Sequence, residues 1–398
     1  MEINKTPKSE LEQRMRRFTA AMGAAYSDWE VCAITGGVSI YYLTGTICDG
    51  MVLIRRGKDA ALWVRKSYER AVLESEFGEI RHMKSFRDVA AAVSPLPDTL
   101  YLDMSAATLE WYGLLSKYIK FDRVLPVDGV MLGVRAVKSA HEIALMRRSG
   151  SAIDRLLRED VPGLLVPGMS EAELGADLLS LLIKNGYHGI SRFSMRNADV
   201  LLGHVGFGGS PLYPSIFNGA SGIAGLCPAL PVLGSRDVRL KAGDLVYIDL
   251  GFGMDGYNVD KTLIYSFGKA QPEYVRDAHA HCLELEKFAA SIMRPGAKPS
   301  DVYNSVLRSV KPGLRDCFMG APGRTVNFLG HGTGLYVDEL PVLANGFDEP
   351  LECGMTIAVE PKISVQGAGL TGSENTYLIT ESGAESLTGE PSELIICM

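Results

Sequence analysis

The C-terminal part of the sequence contains carboxylates and one histidine that could hold metal ions together. Two aspartates lie eleven residues apart, a histidine stands between glycines, and two glutamates follow. Four carboxylates and one imidazole, with no thiolate, suit Mn²⁺, Co²⁺, Fe²⁺ or Zn²⁺ in a reactive site better than a structural zinc. Two such ions about 3.5–4 Å apart could share bridging carboxylates and activate water. The five candidate ligands are Asp249, Asp260, His331, Glu360 and Glu374.

The two aspartates lie on a predicted β-hairpin. Residues 244–265 alternate as two strands around a two-residue Asp255-Gly256 turn. In that register Asp249 lies opposite Thr262, and Asp260 points to the same face. Like charges so close repel, so either one carboxylate stays protonated or a cation lies between them. Taken alone, the two aspartates could also lie on a strand face that is exposed to solvent.

The other three candidates also lie at the ends of predicted strands or in glycine-rich segments. Gly330 and Gly332 leave the imidazole of His331 uncrowded. Glu360 ends an apolar strand and precedes a proline. Glu374 follows a glycine-rich turn and begins a strand over 375–380.

A weak internal repeat relates the two halves of this region. Gly243 precedes Asp249 by six residues, and Gly354 precedes Glu360 by six, each pair spanning an apolar strand. The repeat predicts two halves related by a pseudo-two-fold axis, with acids from both facing one centre.

The elements upstream define two predicted domains, over residues 1–132 and 133–398. In the first, strands alternate with helices, which indicates a small α/β domain. The second begins with two helices whose N-termini are predicted capping boxes, Ser139 with Glu142 and Ser170 with Glu173. Predicted helices in the first domain cover 9–22, 67–76 and 106–118, and predicted strands cover 30–42, 51–54, 60–64 and 99–102.

Composition excludes several classes of protein. The 398 residues are 46% hydrophobic and carry a net charge of −7, with no basic run that could follow a phosphate backbone. We therefore expect no nucleic-acid partner. Seven scattered cysteines, with no C-x-x-C pair, fit a reducing cytoplasm. Because no signal peptide or long apolar run occurs, we expect no membrane association.

The order and context of the five candidate ligands resemble the pita-bread metallopeptidase superfamily. Its members include methionine aminopeptidase, aminopeptidase P, prolidase and the metal-free creatinase. The resemblance spans roughly 135–398, beginning at Arg135-Ala-Val-Lys138, and Ile40-Tyr-Tyr-Leu-Thr-Gly45 resembles the N-terminal domain of the prolidase and creatinase branch. It implies an α/β (α+β) fold, with a small α/β N-terminal domain followed by a pseudo-two-fold catalytic domain.

The sequence departs from the family pattern at three places. The peptidases usually carry a histidine before the first aspartate and another after Gly-His-Gly. Here residues 229–232 and Asp338 stand at those places, and Gly372 replaces an arginine often found two residues before the last glutamate. His204 could substitute for the first histidine as a hydrogen-bond donor or general acid, or it could serve only local structure.

The resemblance implies an Xaa-Pro dipeptidase or aminopeptidase that acts on short peptides. Two divalent ions are expected, with manganese favoured over cobalt, zinc or iron, in a cytoplasmic homodimer. A metal-bound hydroxide would attack the scissile carbonyl while Glu360 carries the proton to the leaving nitrogen. The expected catalytic residues are Glu360 and His204, and the expected substrate contacts are His204, Asp338 and Tyr257.

Two alternatives remain open. The missing histidines and arginine could suit a small non-peptide substrate, hydrolysed or cleaved by a lyase reaction on the same scaffold. A non-catalytic binding module is the second alternative, although such proteins tend to have lost ligands. Among the remaining histidines, His82, His141 and His188 are interpreted as structural or surface residues. His279 and His281 fall on different faces of one helix and predict no joint site.

Overall fold

A computed structural model describes residues 4–195, 198 and 200–398. The chain divides into two compact units, Met1–Arg135 and Ala136–Met398. Among the described residues, no helix is both long enough and apolar enough to cross a bilayer.

The N-terminal unit is built on one mixed β-sheet, flanked by helices. The strand order is β4-β3-β2-β1-β5-β6, in which β1, β2 and β3 pair antiparallel and the outer neighbours pair parallel. The helices are α1 (Lys8–Ala25), α2 (Gly37–Thr44), α3 (Tyr68–Glu74), α4 (Phe86–Val93), α5 (Leu109–Leu115) and α6 (Asp128–Ala136), and the strands are β1 (Val31–Ile34), β2 (Asp49–Arg55), β3 (Ala61–Lys66), β4 (Ile80–His82), β5 (Thr99–Leu102) and β6 (Arg123–Pro126).

The strand predicted over 30–42 is wrong beyond β1. Residues 37–44 form α2, which ends at Gly45 in the left-handed conformation. The carboxylate of Asp103 accepts the backbone N–H groups of Thr35 and Gly36 at 2.7–2.9 Å, just before the helix. A contact that spans 68 residues of sequence thus favours a helix where β-branched and aromatic residues alone favour a strand.

The C-terminal unit contains two larger sheets and two short ones. Their strand orders are β19-β9-β8-β7, β13-β12-β14-β17-β18, β15-β16 and β10-β11. The helices are α7 (Ala140–Arg155), α8 (Glu171–Lys184), α9 (Glu273–Ile292) and α10 (Pro299–Ser309), with a π-helical turn over Leu156–Asp160 and 3-10 turns over Val161–Leu164 and Pro312–Cys317. The strands are β7 (Gly203–Phe207), β8 (Leu245–Met254), β9 (Tyr257–Phe267), β10 (Gly320–Ala321), β11 (Arg324–Thr325), β12 (Phe328–Gly332), β13 (Glu339–Ala344), β14 (Thr356–Val359), β15 (Lys362–Val365), β16 (Gly369–Gly372), β17 (Asn375–Thr380), β18 (Gly383–Ser386) and β19 (Ile395–Cys397).

The predicted hairpin is confirmed, including its register. Asp249 pairs with Thr262 across β8 and β9, and Asp260 pairs with Gly251. The two turn residues both have positive φ, 50° at Asp255 and 91° at Gly256, as a two-residue hairpin turn requires. The side chains of Asp249 and Asp260 therefore share one face of the sheet.

Capping boxes begin both of the first helices of this unit, as predicted. Ser139 caps α7 with Glu142, and Ser170 caps α8 with Glu173. The first residue of α8, Glu171, is fully buried, and its carboxylate accepts the backbone N–H groups of Phe207 and Ser235 at 2.8 and 2.9 Å. These bonds hold β7 against α8, and β7 is the strand that carries His204.

Candidate metal centre

Five separate strands or strand ends bring the predicted ligands together. Asp249 and Asp260 lie on β8 and β9, and His331 lies on β12. Glu360 follows β14, and Glu374 precedes β17, where its backbone bridges to Thr262 of β9. All five side chains line one cavity of about 280 Å³.

Three of the five groups are arranged to hold one metal ion. Asp260, His331 and Glu374 each offer a ligand atom within 4.8 Å of the other two. The Nδ1 atom of His331 lies 3.1 Å from the carbonyl oxygen of Val337, so the ring can donate there and turn Nε2 toward the site. Such a backbone contact is typical of metal-binding histidines. Two carboxylates and one imidazole suit a divalent ion of the kinds expected from the sequence.

A lysine that the sequence analysis did not single out lies between the carboxylates. The Nζ atom of Lys362 lies 2.7 Å from Oε2 of Glu360, 2.9 Å from Oε2 of Glu374 and 3.0 Å from Oδ2 of Asp249. The side chain is buried, with 1% of its surface exposed. Burial of an ammonium is favourable only when it is paired, and these three carboxylates provide the pairing.

The proximity of Lys362 divides the carboxylates into two classes. Burial opposes ionisation of Asp249 and Glu360, but it is outweighed by the Lys362 ammonium together with the Tyr247 hydrogen bond to Asp249 and the His331 contact to Glu360, so the pKa of both carboxyls is lowered. Burial and the charge of Asp249 instead raise the pKa of Asp260 to about 7, and burial and Asp260 raise the pKa of Glu374 well above its usual value. In the metal-free site, Asp260 and Glu374 therefore hold their protons more readily than Asp249 and Glu360 do. Both are among the three residues that would bind a metal ion.

In the metal-free site the imidazole of His331 is protonated and carries a positive charge. Burial lowers its pKa, but the hydrogen bond and attraction to Glu360 outweigh burial and raise the pKa to about 9. Its Nε2 atom lies 3.4 Å from Oε1 of Glu360. A bound metal would replace that proton on Nε2.

One carboxylate oxygen of Asp249 accepts hydrogen bonds from three donors. Its Oδ2 accepts hydrogen bonds from the Tyr247 hydroxyl at 2.8 Å, from Lys362 at 3.0 Å and from the Ser221 hydroxyl at 3.2 Å. Sequence analysis missed Tyr247 and Ser221. Tyr247 was detectable, because it lies two residues before Asp249 and therefore on the same strand face. Ser221 lies outside the strands, and no local pattern marked it.

His204 lines the same cavity and contacts the Asp249 cluster through Ser221. Its Nδ1 lies 2.8 Å from the Ser221 hydroxyl, and its ring stacks on Phe217 with centroids 5.2 Å apart and planes 7° apart. Burial lowers the pKa of His204 to about 4, so the imidazole is neutral near pH 7. Because the Ser221 hydroxyl donates to ionised Asp249, Nδ1 carries the ring proton and Nε2 remains a hydrogen-bond acceptor.

The two other expected substrate contacts differ in position. Asp338 lines the cavity, and its carboxylate accepts hydrogen bonds from the backbone and side chain of Ser194. Tyr257 is not among the cavity-lining residues. It is buried, and its hydroxyl donates to Glu142 on α7 at 2.8 Å. The reason is strand periodicity, since Tyr257 lies three residues before Asp260 and so points to the opposite face of β9.

The helical histidines do not form a joint site. His279 contacts Thr371 and the carbonyl of Ser392, whereas His281 contacts Glu284 and the backbone N–H of Lys311. Their different partners confirm that they face different parts of the unit.

Comparison with known proteins identifies the family. Residues 144–381 match the family model of metallopeptidase family M24, and residues 14–137 match the creatinase/prolidase N-terminal domain. The chain belongs to metallopeptidase family M24. The expected resemblance and fold class are thereby confirmed, and membership of this family implies binding of a divalent metal.

Curated relatives of this M24 chain include named dipeptidases. A probable dipeptidase PepE of Mycobacterium tuberculosis is 31% identical over 279 residues, which cover 69% of this chain and 64% of the relative. The Xaa-Pro dipeptidase of Pyrococcus furiosus is 28% identical over 363 residues, which cover 90% of this chain and 93% of the relative. The match to the PepE relatives therefore spans less than two thirds of their length.

Solved structures share the fold over nearly the whole chain. The prolidase of Pyrococcus horikoshii superposes with a TM-score of 0.78 at 24% identity, over 96% of this chain and 100% of that chain. The dipeptidase PepE of Mycobacterium ulcerans gives a TM-score of 0.79 at 24% identity, over 99% of this chain and 100% of that chain.

Proposed function

We propose that this protein is a divalent-metal-dependent hydrolase that cleaves short peptides before proline, as an Xaa-Pro dipeptidase or aminopeptidase. The observation that carries the proposal is the convergence of Asp260, His331 and Glu374 within 4.8 Å in the wall of a cavity. The relatives named as dipeptidases support the choice of peptide substrate.

The proposed metal would be held by Asp260, His331 and Glu374, with Glu360 adjacent to His331. When bound, a divalent ion lowers the pKa of water and polarises a carbonyl oxygen. Glu360 is the proposed proton carrier, since attraction to Lys362 favours its ionised form and the residue lines the cavity. It would take a proton from the attacking water and release it to the leaving nitrogen.

His204 is proposed as a substrate contact rather than as the donor suggested by sequence. Its neutral ring directs the Nδ1 proton to Ser221, so Nε2 can accept a hydrogen bond from a substrate N–H or ammonium group. Asp338 is the other proposed substrate contact, as an acceptor in the cavity wall.

The size and lining of the cavity support a short substrate. Its volume of about 280 Å³ lies just below the range of small-molecule sites, which span about 300–1,000 Å³. Apolar side chains on the wall could contact a proline ring, including those of Phe193, Phe217, Phe328, Val337 and Val342.

A substrate panel tests the proposal. Purified protein supplied with Mn²⁺ is incubated with Xaa-Pro dipeptides, Xaa-Pro-Xaa tripeptides and matched peptides that lack proline, and products are measured by mass spectrometry. We expect cleavage before proline that is lost in Asp260→Asn and after chelation. Absence of cleavage of every peptide, with metal bound, would contradict the proposal.

A small non-peptide amide is the second candidate substrate. Asp338 supports it, because this residue stands where the peptidases of the family usually carry a histidine. Small cyclic amides added to the same panel distinguish the two candidates. A protein that binds metal and turns over no compound would instead fit a binding module.

The remaining expectations stay part of the proposal. Manganese is the favoured ion, and a cytoplasmic homodimer is the expected state. The seven cysteines, all free, are consistent with a reducing compartment.

A further inference from the structure

We infer that the ammonium group of Lys362 takes the place of one of the two predicted metal ions, so that the centre holds a single divalent ion beside a fixed positive charge. The ion would lie with Asp260, His331 and Glu374, whereas Asp249 would bind Lys362 instead of metal. The inference rests on the proposed metal centre, but not on the identity of the substrate.

The Nζ atom of Lys362 lies among carboxylate oxygens at a position where a metal cation could otherwise bind. Oxygens from Asp249, Glu360 and Glu374 lie 2.7–3.0 Å from this one nitrogen. An ammonium has three N–H donors, and each has a carboxylate acceptor here. A divalent ion such as zinc requires carboxylate oxygens at about 2.0–2.2 Å. An ion bound to these same three oxygens would therefore overlap the lysine nitrogen.

The oxygen of Asp249 that faces Lys362 is already saturated. Its Oδ2 accepts from Tyr247, Ser221 and Lys362, although a carboxylate oxygen offers only about two lone pairs. A second ion placed beside Lys362 would also be repelled, because two cations a few ångströms apart interact strongly in a buried site. Both facts disfavour metal on the Asp249 side of the centre.

The pairing of β15 with β16 determines the direction in which the Lys362 side chain extends. Lys362 pairs with Gly372 across these strands. A Cβ atom added at Gly372 would lie 2.8 Å from Cγ of Lys362 and 2.5 Å from the carbonyl oxygen of Pro361. Position 372 thus has no room for a side chain, because the Pro361 carbonyl oxygen and the first carbon atoms of Lys362 fill the space beside it.

Metal stoichiometry tests the inference without reference to catalysis. The apo protein is loaded with excess Mn²⁺, free ion is removed, and manganese per chain is measured by elemental analysis and by EPR, in which spin-coupled pairs are distinguishable from isolated ions. We expect one isolated ion per chain in the wild type and in Asp249→Asn. Asp260→Asn is expected to bind none.

Variants that remove the Lys362 ammonium group provide a second test of the number of bound ions. Lys362→Ala opens the pocket and exposes three carboxylates, so we expect two ions per chain and a coupled EPR signal. Lys362→Met is the matched control, because it removes the charge but keeps a side chain of similar length, and we expect no more than one ion. Circular dichroism checks that each variant is folded.

The outcomes separate this inference from the proposed function. Two ions in the wild type, or loss of the single ion in Asp249→Asn, would overturn the inference, as would one ion in folded Lys362→Ala. If Lys362→Ala does not fold, the wild type and Asp249→Asn decide. One ion bound with no peptide cleavage would overturn only the peptidase proposal, and no binding of Mn²⁺, Co²⁺, Fe²⁺ or Zn²⁺ would overturn both.

Discussion

The hydroxyl of Thr262 donates a hydrogen bond to Oε2 of Glu374 at 2.8 Å, while the backbone N–H of Thr262 donates to the Glu374 carbonyl at 3.2 Å. Strand β9 therefore orients Glu374 through both its backbone and a side chain. Since Glu374 faces both Lys362 and the proposed metal, Thr262 is a positioning residue for the centre.

Replacement of Thr262 by valine should weaken metal binding. Thr262→Val keeps the shape of a fully buried side chain but removes the donor to Glu374, and loss of such an outer contact typically costs 10–100-fold in metal affinity. We expect a decrease of about 10-fold in Mn²⁺ affinity, measured by isothermal titration calorimetry. Thr262→Ser retains the hydroxyl and should stay close to wild type. Equal affinities for the valine variant and the wild type would refute this role.

The metal-free protein should lose stability when acid protonates His204. Burial depresses the pKa of this histidine to about 4, below the value of about 6.5 in an unfolded chain, so the unfolded state binds more protons between these pH values. The stabilisation is present above pH 6.5 and lost as the pH falls to 4, by at most about 3 kcal/mol. Thermal unfolding measured across this window checks the prediction.

A pair of histidine variants isolates that contribution. His204→Gln should flatten the fall in melting temperature between pH 6.5 and 4, whereas the exposed His82, changed to glutamine, should leave it unchanged. An identical acid response in His204→Gln and wild type would rule out His204 as its source.

Gly203 should tolerate no side chain. Its φ is +148°, and an added Cβ would lie 2.1 Å from the backbone oxygen of Asp249 on the neighbouring strand. Gly203→Ala should therefore separate β7 from β8, lower the melting temperature and weaken Mn²⁺ binding. Gly209→Ala is the control, because nothing lies within 4 Å of a Cβ there. Similar stability of the two variants would contradict the described pairing.

The aromatic contact of His204 should matter for turnover and not for metal. Phe217→Ala removes the ring stacked on His204 from the cavity wall. Aromatic pairs contribute about 0.5–1.5 kcal/mol, so we expect kcat/KM on the best substrate to fall by up to about 10-fold while manganese content stays constant. Tyr213→Ala, at an exposed residue outside this cavity, should have little effect. Loss of manganese in Phe217→Ala would instead assign the ring to the metal centre.

Local rules predicted the parts of the site that lie within single hairpins and caps. The Asp255-Gly256 turn sets the pairing of Asp249 with Thr262, and that pairing follows from turn length and strand alternation alone. Tyr257 was misplaced because the same alternation was not applied to it. Applied three residues back from Asp260, it places Tyr257 on the other face.

Lys362 shows both what the sequence contained and where local reasoning ends. It lies two residues after Glu360, a spacing that in an extended chain places both side chains on one face. Its contacts with Asp249 and Glu374 span 113 and 12 residues of sequence, and no local pattern predicts the first. The position of Ser221 between His204 and Asp249 likewise depends on how a long loop packs.

Anomalous diffraction from crystals grown with Mn²⁺ would show whether the centre holds one metal ion beside the Lys362 ammonium. We expect one manganese peak bonded to Asp260, His331 and Glu374, with Lys362 Nζ still between Asp249, Glu360 and Glu374. Two peaks about 3.5–4 Å apart, with the lysine displaced, would contradict it, as would a centre that takes up no manganese.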